Sequence, residues 1–73
     1  MAEIEMIQVV SSNIESIGYD EDMQILRVRF LNGVMYEYKN VPIMEFEQLK
    51  NAPSVGSYFN RSIARNYPYE KVG

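Results

Sequence analysis

Leu26-Arg27-Val28-Arg29-Phe30-Leu31-Asn32-Gly33-Val34-Met35-Tyr36-Glu37-Tyr38 decides the fold. Leu26, Val28 and Phe30 alternate with Arg27 and Arg29, and Val34, Tyr36 and Tyr38 alternate with Met35 and Glu37, so each half reads as a strand with one buried face. The Asn-Gly between them marks a hairpin. Its register follows from the faces. A two-residue turn at Asn32-Gly33 would set Arg29 opposite Tyr36 and bring Glu37 to the side of Val28. A three-residue loop, Leu31-Asn32-Gly33, with Gly33 left-handed, pairs Phe30 with Val34, Val28 with Tyr36 and Leu26 with Tyr38. It also places Arg27 opposite Glu37. Slipping by one residue turns a strand's side chains over, and only the second register gathers the apolar residues on one face.

Upstream, Ile14 to Tyr19 reads as another strand with Ile17 and Tyr19 on one face, and Asp20-Glu21-Asp22 as the turn leading onward. Ser12 and Glu15 have capping-box spacing, but no helical period follows them. Ile4 to Val10 reads as either a short extra strand or a mobile segment. Beyond Val41-Pro42 the period changes. Ile43, Phe46 and Leu49 recur at helical spacing, with Glu45, Glu47, Gln48 and Lys50 outward. Ala52-Pro53 breaks that helix, and Ser54 can cap a second one carrying Val55, Phe59, Ile63 and Tyr67 four apart until Pro68 stops it. The expected architecture is α+β: one domain over residues 1–73, a three-stranded antiparallel meander followed by two helices on one face (βββαα), with residues 1–8 as the extra strand or mobile piece.

Composition limits the chemistry. The 73 residues contain no cysteine and no histidine. Disulfides, thiolate catalysis and the common zinc, copper and haem ligand sets are thereby excluded, as is the usual base of serine hydrolases. No glycine-rich phosphate loop is present. Asp20-Glu21-Asp22 lacks calcium-loop spacing and reads as a solvated turn. No catalytic residue, cofactor or metal is expected. The N-terminus is acidic and no apolar run spans a bilayer, so the expected location is cytoplasmic, away from membranes. Asn60-Arg61-Ser62 matches a glycosylation acceptor, which carries no weight without secretion. The net charge of −3 argues against broad attraction to nucleic acid, though not against a local basic face.

Taken in order, Ser11-Ser12-Asn13-Ile14, Ile17-Gly18-Tyr19-Asp20, Asn32-Gly33, Tyr36-Glu37-Tyr38, Val41-Pro42 and Ser54-Val55-Gly56-Ser57-Tyr58-Phe59-Asn60 resemble the KTSC family over about residues 9–67. That family is named for a C-terminal extension of some lysyl-tRNA synthetases and occurs also as small bacterial and phage proteins. Its Tyr-x-Tyr hallmark is matched by Tyr36 and Tyr38. The resemblance implies no catalytic residue. Through the synthetase association it implies RNA contact.

Two binding surfaces follow as expectations for a non-catalytic interaction module. The first is the sheet face away from the helices, with Ile25, Arg27, Arg29, Met35, Glu37 and Lys39, or a sheet edge. Its apolar members suit a protein partner or a second copy of the chain. The alternative is RNA or DNA contact by the second helix. Ser57, Arg61 and Arg65 lie four apart there, Tyr58 and Asn60 lie beside them, and Ser54, Gly56 and Ser57 open the helix with free N–H groups and hydroxyls. Tyr36 and Tyr38 are expected in the core beneath the helices rather than on a base-stacking surface.

Overall fold

The structure, a computed structural model, describes residues 4–73. The first three residues of the N-terminal segment lie outside the described residues. Strands β1 (Met6–Gln8), β2 (Ile14–Asp20), β3 (Ile25–Phe30), β4 (Met35–Tyr38) and β5 (Tyr69–Lys71) form one antiparallel sheet in the order β1-β2-β3-β4-β5. Helices α1 (Ile43–Lys50) and α2 (Val55–Tyr58) lie between β4 and β5 in the chain, and α2 runs directly into a π-helical turn, Phe59–Ile63.

The central hairpin has the register that the alternating faces demand. Leu26 pairs with Tyr38, Val28 with Tyr36 and Arg27 with Glu37. The Phe30 N–H donates to the Val34 carbonyl at 2.9 Å and the Gly33 N–H to the Phe30 carbonyl at 2.9 Å. Gly33 sits at φ +89°, where a side chain would be strained. In β2 a bulge between Ile14 and Ser16 inserts Glu15. The bulge lets Ile14 and Ile17 both face the core despite their odd spacing, and neither has any exposed surface.

The meander of three strands is thus widened to five. β1 pairs Met6 with Gly18 and Gln8 with Ser16, which settles the open reading of the N-terminal segment as a strand. β5 was not expected at all. It pairs Tyr38 with Tyr69 and Tyr36 with Lys71. The Lys39 N–H, donating to the Pro68 carbonyl at 2.8 Å, leads it in. The second helix is also shorter than its apolar stripe: the π-helical turn ends at Ile63, and Tyr67 packs on the core from the turn beyond.

Ile14, Ile17, Leu26, Val28, Tyr38, Val41, Phe46, Leu49, Val55, Phe59 and Ile63 form one core. Phe46 and Leu49 anchor α1. Ile43 was expected beside them, but it lies in the first turn, past the edge of the core, and is 41 % exposed. The Tyr19 ring stacks on Phe46 at 5.1 Å, and its hydroxyl donates to the Val41 carbonyl at 2.5 Å, pinning the β4–α1 connection.

Gly18 is where the N-terminal segment crosses the sheet. A Cβ there would stand 2.5 Å from Ile4 Cγ2, 2.7 Å from Met6 Sδ and 2.8 Å from the Glu5 carbonyl oxygen. Two of these can swing away, but the backbone oxygen cannot. Gly18→Ala is expected to cost about 1–3 kcal/mol, as overpacking does, and to displace β1 first. Amide exchange should accelerate across Met6–Gln8 while Leu26–Phe30 stays protected. Equal loss of protection in both strands would refute the local reading.

Candidate functional site

The outer face of the sheet carries its expected members, with charges matched to charges. Arg27 donates from both Nε (2.9 Å) and Nη2 (2.5 Å) to Glu37 Oε2. Arg29 meets Glu15 at 3.3 Å and Lys39 meets Glu70 at 3.4 Å. Ile25 and Met35 are half-buried. The segment over Gly18 covers part of this face, and Gly73 lies beside Met35. The exposed pairs Arg29–Glu15 and Lys39–Glu70 add little stability, about 0–1 kcal/mol each, but all three pairs offset their cation locally.

On the other side of the molecule, Ser54, Ser57, Tyr58 and Arg61 converge on a cleft of about 330 Å³. Gln48 and Asn51 at the end of α1 line it too, with Ala52 and Pro53. Ser54 acts as the expected cap, its Oγ accepting from the Ser57 N–H at 3.3 Å. The arrangement presents two hydroxyls, two amides and one guanidinium, donors suited to phosphate or carboxylate oxygens. Gln48 and Asn51 escaped the sequence reading because only the packing of α1 against α2 brings them there.

Three expected members of the helix surface do not join the cleft. Gly56 is buried: a Cβ on it would stand 2.7 Å from Asn13 Oδ1 and 3.0 Å from Ser11 Oγ. Its role is close packing of α2 on the loop before β2, so it cannot offer its N–H at an open helix end. Asn60 is exposed but outside the cleft. Arg65 follows the π-helical turn, which carries it away from the Ser57–Arg61 line.

Glu45, expected to face outward, is drawn inward as an acceptor. It takes a hydrogen bond from the Tyr58 hydroxyl at Oε1 and another from the Tyr67 hydroxyl at Oε2, 2.9 Å away. That carboxylate holds the Tyr58 phenol above its ordinary pKa. Burial, then the same carboxylate, raises that of Tyr67. The link ties α1 to the last residue of α2 and to the turn beyond Ile63, and fixes the Tyr58 wall of the cleft.

The Tyr-x-Tyr pair divides. Tyr38 is in the core at 5 % exposure, and burial followed by its neighbours Tyr69 and Tyr36 pushes its pKa up to about 12. Tyr36 is only half-buried, contrary to the expectation of two core rings, because β5 rather than a helix borders β4.

The KTSC domain model matches residues 10–67. The chain belongs to the KTSC family. A KTSC domain protein of Yersinia pestis, solved as a crystal structure, superimposes with a TM-score of 0.91 at 33% identity, covering 97% of this chain and 100% of that one. An uncharacterised protein of Stutzerimonas stutzeri is 36% identical over 67 residues, spanning 90% of this chain and 94% of its own. A lysine–tRNA ligase of Trichormus variabilis is also 36% identical over 67 residues, covering 92% of this chain but 12% of the ligase. The KTSC unit is therefore both a small protein and a minor part of a much larger enzyme. Among the described residues, no group of three or more His, Cys, Asp or Glu is placed to hold a metal ion, and no helix is long and apolar enough to cross a membrane.

Proposed function

We propose that this KTSC domain is a non-catalytic binding module that contacts single-stranded RNA through the cleft between α1 and α2. One observation carries the reading. Of the seven basic side chains, Arg27, Arg29, Lys39 and Lys50 are engaged by carboxylates, and Arg61, Arg65 and Lys71 stand outside every ion pair among the described residues. The free cations all lie in the last part of the chain, and Arg61 lines a cleft that also presents hydroxyls and amides. A polyanion gains most where a cation has no carboxylate to surrender. The lysine–tRNA ligases among the relatives, enzymes that work on RNA, support the same polymer. With a net charge of −3 the contact is short-ranged and modest in strength.

A short labelled single-stranded RNA, followed by fluorescence anisotropy, tests it. Two or three phosphate contacts give a salt exponent of about −1.4 to −2.1, so affinity should fall roughly 7- to 20-fold between 50 and 200 mM salt. Arg61→Glu should weaken binding at least tenfold at low salt, and Arg29→Glu, on the far face, should not. Binding indifferent to salt, or to Arg61, would overturn the proposal.

The second reading keeps the module but gives it a protein partner or another copy of itself, at the outer face or an edge. Ile7 on β1, 40 % exposed, and Val72 after β5, 44 % exposed, favour the edges. Association that strengthens with salt and survives Arg61→Glu would favour it over RNA.

A further inference from the structure

The helices cover the inner face of the sheet unevenly. Their side chains join Ile17, Val28 and Leu26 in the core and reach β4 through Phe59 against Tyr38, while Tyr36 and Tyr69 line the β4–β5 part of the same face. Tyr36 and Tyr69 meet edge to face, with centroids 5.5 Å apart and planes at 85°. Tyr69 lies against Tyr38 at 5.4 Å with planes only 33° apart. One side of the Tyr69 ring is thus taken up by Tyr38. Even so, Tyr69 remains 59 % exposed. The shelf is rigid: Tyr36 also abuts Phe30 at 5.8 Å, and Tyr38 abuts Phe59 at 5.2 Å.

The charge beside this shelf has one sign. Lys71 pairs in register with Tyr36, so its side chain leaves the same face of the sheet. It stands outside every ion pair among the described residues. The acids of these two strands, Glu37 and Glu70, pair with each other in register and lie on the opposite face, where they hold Arg27 and Lys39. An open aromatic ring with an unneutralised ammonium beside it fits a planar group carrying a phosphate. An apolar protein surface would have to desolvate that ammonium without compensation.

We infer that Tyr69, with Tyr36 and Lys71, is a base-stacking site for the single-stranded RNA whose phosphates the α1–α2 cleft contacts. The site rests on the proposed RNA reading and adds to it the element that recognises bases rather than backbone. Geometry allows one strand to use both. The molecule measures 31 × 24 × 20 Å, and single strands commonly occupy such domains over about 4–16 nucleotides. Tyr36 and Tyr38 meet at 6.4 Å with planes 59° apart, so Tyr36 buttresses the shelf rather than offering a second parallel ring.

The full chain contains no tryptophan, which makes a single reporter available. In Tyr69→Trp, titration with an eight-nucleotide oligouridylate and an oligoadenylate should quench the new indole emission and keep the wild-type affinity, with adenine quenching more. Tyr69→Ala should bind both about 5- to 100-fold more weakly, as loss of one stacked base does. Tyr69 is an exposed edge residue, so its removal leaves the core intact, and an unchanged far-UV spectrum confirms that. Full-affinity binding by Tyr69→Ala with an unquenched indole in Tyr69→Trp overturns the stacking site and leaves the cleft standing, provided Arg61→Glu still weakens binding at least tenfold. No RNA binding by the wild type overturns both. A concentration-dependent dimer in sedimentation that Tyr69→Ala dissolves, without any RNA effect, also overturns the site and assigns the shelf to a second copy of the chain.

Discussion

Ile63→Ala is expected to destabilise the domain by about 2–5 kcal/mol, enough to leave it partly unfolded at 37 °C. Ile63 has no exposed surface and closes the π-helical turn against the core. Truncating it removes its transfer free energy and leaves a void that rigid neighbours on the sheet cannot fill. A chain of 73 residues has a total stability of about 4–11 kcal/mol, so the loss is a large fraction of it. In thermal melts the midpoint should drop by roughly 10–30 °C, since about 1 kcal/mol moves a domain of this size by about 4–8 °C. Met44→Ala is the matched control: Met44 is 65 % exposed, and its loss should change stability by less than about 0.5 kcal/mol. Equal effects at the two positions would mean that the second helix does not seat Ile63 in the core.

The π-helical turn that seats Ile63 bears on what the sequence discloses. Val55, Phe59, Ile63 and Tyr67 recur every four residues. On a regular α-helix such a stripe drifts by about 40° per step, and Tyr67 would end well off the face of Val55. The wider turn, closed by the Ala64 N–H donating to the Phe59 carbonyl at 2.9 Å, takes up that drift and keeps Phe59 and Ile63 buried together. A strict period of four is thus a legible sign of widening, beyond the amphipathic helix read from it. The central hairpin was legible because two independent signals agreed, the alternating faces and the Asn-Gly turn. β5 was not, because Tyr69-Glu70-Lys71 is too short to show any period and owes its place to Tyr36 and Tyr38, more than thirty residues earlier. The candidate site divides the same way. Ser54, Ser57, Tyr58 and Arg61 are close in sequence and were found together. Gln48, Asn51, Tyr69 and Lys71 reach their sites only through tertiary packing. Gly56 was misread because what it touches, Ser11 and Asn13, lies more than forty residues away.

Alkaline titration is expected to unfold the domain between pH 10 and about pH 12, with Tyr38 ionising last and together with the loss of structure. Four phenols have pKa values raised above 10: Tyr19 by burial and then by Glu21 and Asp20, Tyr58 by its hydrogen bond to Glu45, Tyr67 by burial and that same carboxylate, and Tyr38 to about 12 by burial. A phenol that ionises less readily in the folded chain than in the unfolded one favours the fold while it is protonated. Its contribution is therefore complete below pH 10 and is lost as pH rises through the folded-state value. None of the four contributes pH dependence near neutrality. Absorbance at 295 nm follows the phenolates as they form. The last phenolate should appear only as the far-UV signal collapses, because a charge on Tyr38 has no place among Leu26, Val28 and Phe59. Tyr38→Phe removes that step without emptying the core and should carry the alkaline midpoint upward. Tyr38 titrating near pH 10, with the far-UV signal intact, would place its hydroxyl in water and contradict the buried half of the Tyr-x-Tyr pair.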